Sequence, residues 1–116
     1  MKLMTEYIEQ CKLVTWLDGL KRFGHDIKYT YIPNDTHTTS WQAKNKNTRL
    51  GLKGGLPDLF FIINNKPFFI EMKRTDGGVL SDKQLDWIAK IKNTKVIDCF
   101  VCHGYTEAVK IIEGYL

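Results

Sequence analysis

Two continuous apolar runs, Leu59 to Ile63 and Phe68 to Met72, are separated only by Asn64-Asn65-Lys66-Pro67. Asparagine and proline at that point favour a turn, so the pair reads as a β-hairpin. Each run is apolar in both alternating registers, and a strand sends alternate side chains to opposite faces. Both faces must therefore be covered, which puts the hairpin in the middle of a sheet flanked by helices, with no wet side. Setting Ile63 against Phe68 across the turn sets Asp58 against Lys73 and Phe60 against Glu71. In that register Asp58, Glu71 and Lys73 share one face at one end of the hairpin. A slip of one residue would send Asp58 to the other face.

The remaining elements follow from period and punctuation. Ile8, Cys11, Val14, Leu17 and Leu20 recur every three residues and predict an amphipathic helix over about 5–21. Residues 26–32 are aromatic and β-branched and predict a strand, broken by Pro33-Asn34-Asp35. From there to about Lys53 the chain is polar and without period, which reads as a loop of some 20 residues containing His37 and Trp41. Trp41 either stacks on a base or folds back as a local anchor. Gly77-Gly78 opens a loop, and Ser81 with Gln84 has the spacing of a capping box, with Leu80 and Leu85 as its hydrophobic staple. Leu85, Ile88 and Ile91 form the buried stripe of that helix. A strand over 95–102 and a last helix through Val109 and Ile112 complete the order αβββαβα, with the crossover helix joining parallel strands.

A chain of 116 residues reads as one domain over 1–116. No apolar run approaches the roughly 18 residues of a membrane span, and the first ten residues lack a signal-peptide core, so a cytoplasmic setting with no membrane partner is expected. Cys11, Cys99 and Cys102 are an odd number, and two lie in an apolar strand, which suits reduced thiols better than a disulfide framework. Zinc binding by Cys99, Cys102 and His103 is disfavoured because C-X-X-C in a strand points its sulfurs to opposite faces. The net charge is +4. Lys44, Lys46, Arg49 and Lys53 lie between Trp41 and Gly54 without an acid among them, either as a solvated basic loop or as the place where DNA is drawn in.

Asp58 and Glu71 are the oxygen donors that Mg²⁺ or Mn²⁺ takes, one or two carboxylates beside waters and phosphate oxygens. The Met72 carbonyl is a candidate third ligand, since alternation turns its side chain to the core while its backbone stays at the site. Lys73, two residues beyond Glu71, shares its face and can orient a water and neutralise charge on a phosphate. A plain ion pair at the end of a hairpin is the bland alternative. Against it, charges at the end of a buried sheet beside a cationic segment are costly to place without a purpose.

Pro57-Asp58 followed by Glu71-Met72-Lys73 resembles the PD-(D/E)XK nuclease signature. EYIEQCKLVTWL, IPN, GLKGGLPDLFF, IEMKR and GVLSDKQLDWI together resemble the VRR-NUC family, in the small standalone form found in phages. The resemblance implies a restriction-endonuclease-like α/β core, αβββαβ(α), with a mixed sheet flanked by helices. It implies a Mg²⁺- or Mn²⁺-dependent DNA endonuclease with Asp58 and Glu71 as metal ligands and Lys73 as the catalytic lysine. It carries Gln84 over as a site residue and makes an acid of the first helix, Glu6 or its neighbour Glu9, an active-site carboxylate. It adds Arg74 to the DNA-contacting cations. Standalone members resemble Holliday junction resolvases, which implies a homodimer acting on four-way DNA. A flap or nicking nuclease acting on other branched DNA, and a DNA-binding module without catalysis, are the alternatives.

Overall fold

The computed structural model describes residues 2–33 and 40–116; Asn34, Asp35 and His37 lie outside them. Its elements are α1 (Lys2–Arg22), β1 (Ile27–Tyr31), α2 (Trp41–Arg49), β2 (Leu59–Ile63), β3 (Lys66–Lys73), α3 (Asp82–Asn93), β4 (Asp98–His103) and α4 (Tyr105–Glu113). The strands form one mixed sheet in the order β1-β2-β3-β4. The first two pairings are antiparallel, and β3 and β4, joined through α3, run parallel. Among the described residues no helix is long and apolar enough to cross a membrane.

The hairpin is central, but its register differs from the expected one by two residues. Ile63 pairs with Lys66 and Leu59 with Ile70, leaving a two-residue turn at Asn64-Asn65 with φ of 50° and 67°. Asparagine tolerates the left-handed region that such a tight hairpin turn demands at both positions. Pro67 sits in β3 instead of the turn; it precedes the first β4 pair, Phe68 with Asp98, and a proline at a strand start forfeits little pairing. Because the shift is even, no side chain changes face. One step beyond Leu59 and Ile70, Asp58 comes opposite Glu71 and not Lys73.

Alternation divides the core between the faces. Leu59, Phe61, Ile63, Phe68, Ile70, Met72 and Cys102 pack with Leu13 and Leu17 of α1 and with Ala108 and Ile112 of α4. On the other face Ile88 and Ile91 of α3 pack against Cys99, Phe69 and Val101. Cys99 and Cys102 therefore do lie on opposite faces. This second face is covered only in part: Ile62 is exposed and Phe60 half-buried, so the β1–β2 side of the sheet has a wet side after all.

Three further expectations are corrected. The supposed 20-residue loop contains α2, whose Ser40 hydroxyl caps the helix by accepting from the Ala43 N–H at 3.2 Å. None of its residues is buried, so it has no apolar stripe for a period to reveal. The αβββαβ(α) order thus gains a helix between β1 and β2. Among the described side chains of α1 the buried ones are Leu13 and Leu17, four apart, while Ile8 and Cys11 are exposed. In α3 the capping box forms as expected, but Leu85 is exposed and does not join the buried stripe, which is Ile88 and Ile91.

The turn before Asp58 is braced on α3. Gly55 has φ of +97°, and an added Cβ would lie 2.7 Å from the Lys83 carbonyl carbon. Both the backbone conformation and the contact exclude a side chain. Gly55→Ala is expected to destabilise the protein by about 1–3 kcal/mol in urea unfolding; an unchanged midpoint would show that this turn is not held against α3.

Candidate active site

The C-terminal end of β3 and the bend before β2 bring the predicted carboxylates together. Pro57 is fully buried and fixes the approach to Asp58, whose Oδ2 accepts the Met72 N–H at 3.1 Å. Glu71 is only 2% exposed, and Lys73 is also buried. The Lys73 Nζ lies 3.5 Å from Glu71 Oε2. Gln84 ties them together, donating from Nε2 to Glu71 Oε2 at 3.0 Å and accepting from Lys73 Nζ on Oε1 at 3.1 Å. The same Oε1 accepts the Ser81 N–H at 2.9 Å. The capping box that starts α3 therefore also orients the amide that holds Glu71 and Lys73. Gly78 lets the loop close over the lysine, since a Cβ there would meet the Lys73 stem at 3.1 Å.

Electrostatically the two acids are in conflict. Burial pushes the Glu71 carboxyl up to about 8, and the Asp58 charge adds to the shift against the opposing pull of Lys73. Burial also raises Asp58, opposed by the Met72 N–H, by its contact with Glu71 and by Lys73, while the charge of Glu6 raises it further. In contact, the two carboxylates are like charges that cannot both ionise freely, and both shifts favour keeping a proton between them. Among the described residues no donor reaches Glu71 Oε1, a buried oxygen. Its neighbour Asp58 is an acceptor too, so a proton or a cation is needed between them.

The two candidate acids of α1, Glu6 and Glu9, separate. Glu9 Oε1 accepts the Tyr105 N–H at 2.9 Å at the start of α4, and Oε2 pairs with Lys12 at 3.1 Å. The Tyr105 N–H holds its carboxyl below the usual range. Glu9 thus supplies the oxygen that the N-cap residue Gly104 lacks. Glu6 instead borders Asp58 in a groove of about 650 Å³ lined also by Tyr7, Gln10, Cys11, Val14, Tyr31 and Met72. Tyr7 and Tyr31 carry no signal in the sequence, because exposed aromatics in a helix and a strand have no pattern that separates them from core residues.

The cations are dispersed. Lys44, Lys46 and Arg49 are exposed on α2, and Trp41 at its start is 74% exposed, not folded back as an anchor. Lys53 lines a smaller pocket with Lys83, Asp86 and Trp87. Arg74 is engaged locally, with Asp76 at 3.1 Å and the Gly77 carbonyl at 3.0 Å, and so braces the loop after β3.

A mixed sheet with helices on both faces, carrying a buried acid pair and a lysine at the end of its central hairpin, defines the class as an α/β protein with a polar site at the sheet end. A solved structure described as a VRR_NUC domain protein has the same fold, with a TM-score of 0.70 over 97% of this chain and 88% of that one at 21% identity. The VRR-NUC domain family matches residues 9–106, and the chain belongs to it. No curated protein matches. Membership of this family implies nuclease activity on DNA.

Proposed function

We propose that the chain, as one domain of the PD-(D/E)XK type, is a Mg²⁺- or Mn²⁺-dependent endonuclease that cuts branched DNA. Within that class the resemblance to standalone family members favours a Holliday junction resolvase, which would act as a homodimer because paired nicks in a two-fold junction require two sites related by a two-fold axis. The single observation that carries the nuclease site is the contact of Asp58 with Glu71, both with raised pKa, beside the partnerless Glu71 Oε1 and the Lys73 ammonium.

The donor set fits a hard divalent cation. Among the described residues no three His, Cys, Asp or Glu side chains cluster as a complete metal site. Mg²⁺ does not need such a cluster, because it takes one or two carboxylates and keeps waters and phosphate oxygens for the rest. Asp58 and Glu71 would hold the ion, with the Met72 carbonyl as third oxygen and Glu6 reaching in from α1. When bound, the ion supplies Lewis-acid stabilisation of the phosphate oxygens and lowers the pKa of water. Lys73, fixed by Gln84, presents an ammonium to the phosphate and to the attacking water. Gln84 is a positioning residue: its amide keeps Glu71 and Lys73 aligned from the rigid start of α3. Lys44, Lys46, Arg49 and Lys53 give the DNA backbone an electropositive approach, with no acid between Trp41 and Gly54 to oppose it.

The test is incubation of the purified protein with labelled four-way junctions, flaps, nicked and linear duplexes in Mg²⁺ or Mn²⁺, beside Asp58→Ala. Paired symmetric nicks on the junction are expected from the wild type alone. Cuts confined to flaps would reassign it as a flap nuclease, and equal inactivity of both proteins on every substrate would leave only DNA binding.

A further inference from the structure

The groove beside Asp58 has a character that phosphodiester hydrolysis does not require. Tyr7, Cys11 and Val14 of α1, Tyr31 at the end of β1 and Met72 give it apolar surface, beside the neutral polar Gln10 and Thr15 and the two acids Glu6 and Asp58. Tyr7 is 65% and Tyr31 55% exposed, two large rings left in water. Tyr7 contacts Cys11 one turn further along α1, which raises the phenol's pKa. Among the described lining residues there is no lysine or arginine, and the only charges are the two acids. A phosphate is repelled from such walls, whereas a neutral flat ring is accommodated. The volume of about 650 Å³ lies in the range of pockets that enclose small ligands.

We infer that this groove receives the base of the nucleotide next to the cut, with Tyr7 and Tyr31 as its stacking surfaces. The inference rests on the nuclease reading of Asp58, Glu71 and Lys73. Asp58 belongs to both the groove and the carboxylate pair, so a strand with its phosphate at the pair carries a neighbouring base to the groove's mouth. In an intact duplex that base must first be unstacked and unpaired; at a flap, a fork or a junction it is already free or readily freed. The groove thereby favours branched or single-stranded substrates. Tyr7 and Tyr31 set specificity and take no part in the chemistry.

The experiment compares a single-stranded oligonucleotide carrying 2-aminopurine with the same strand made abasic at that position. Binding is measured in Ca²⁺ for the wild type, Tyr7→Ala, Tyr31→Ala and Tyr31→Phe. Cleavage of a branched substrate, with and without the base beside the mapped cut, is followed in Mn²⁺. Both tyrosines are exposed, and thermal melts check that the variants fold. The base should raise wild-type affinity about 5- to 100-fold, the alanine variants should lose that gain, and Tyr31→Phe should keep it. Equal wild-type affinity for the two strands, or alanine variants that discriminate as the wild type does, overturns the inference. So does a dimer that dissociates on Tyr31→Ala while base discrimination survives, because the groove then receives a second copy. Intact stacking without cleavage counts against the nuclease reading alone, and cleavage indifferent to the base counts against the groove alone.

Discussion

Glu71→Gln is expected to lower metal-dependent cleavage by about 10³-fold or more while leaving the protein folded. The substitution keeps the shape of the side chain, so an amide oxygen can still accept from Gln84 Nε2 at the position where Glu71 Oε2 does at 3.0 Å. Its amide nitrogen meets the Asp58 carboxylate as a donor, which removes the conflict between two acceptors. The negative charge that holds a cation is lost with it. Gln84→Ala should have the graded effect of a supporting residue, about 10- to 100-fold, because Glu71 and Lys73 remain but lose the amide that aligns them. Single-turnover rates on one branched substrate separate the two cases. A Glu71→Gln protein within tenfold of the wild type would place the chemistry elsewhere on the molecule.

The metal-free protein should lose stability as the pH rises from about 5 to 8, then level off. The sign follows from the carboxylate pair: Glu71 moves from an ordinary value near 4.5 up to about 8, and Asp58 moves in the same direction. Between those values the folded protein binds a proton that the unfolded chain has released, and stability then falls with pH. The slope at its steepest is about 1.4 kcal/mol per pH unit for one proton. Mn²⁺ or Mg²⁺ takes the place of that proton, so its stabilisation should be larger at pH 8 than at pH 6. Glu71→Gln should flatten both dependences. Thermal melts at several pH values, in EDTA and in Mn²⁺, provide the check. A metal-free melting temperature that climbs from pH 5 to 8 would contradict the shared proton.

The site joins both faces of the sheet at one end. Glu71 and Lys73 point toward α3, where the capping-box glutamine receives them, and Asp58 sits at the bend where the groove along α1 begins. One helix thus supports the reactive groups and another borders the space where a substrate would extend. On the proposed nuclease reading, a change at Gln84 of α3 should act on rate, and a change at Tyr7 of α1 on which DNA is accepted.

The sequence by itself determined the hairpin, the faces of its residues and the capping box, because each depends on neighbours a few residues apart. Strand alternation has a period of two, so even a register wrong by two residues left the paired side chains of β2 and β3 on their expected faces. Ser81 and Gln84 were legible because their hydrogen bonds are local. The tertiary structure alone decided the rest. The turn length depended on whether Pro67 could enter β3 where β4 pairing has not begun. α2 has no periodic signature, because a helix that buries nothing leaves no apolar stripe. Glu6 and Glu9 are equivalent in the sequence as acids of one helix, and only the start of α4 claims Glu9 and leaves Glu6 beside Asp58. The contact between the two carboxylates, and with it the shared proton, arises where the bend before β2 meets the end of β3, a contact that no local pattern encodes.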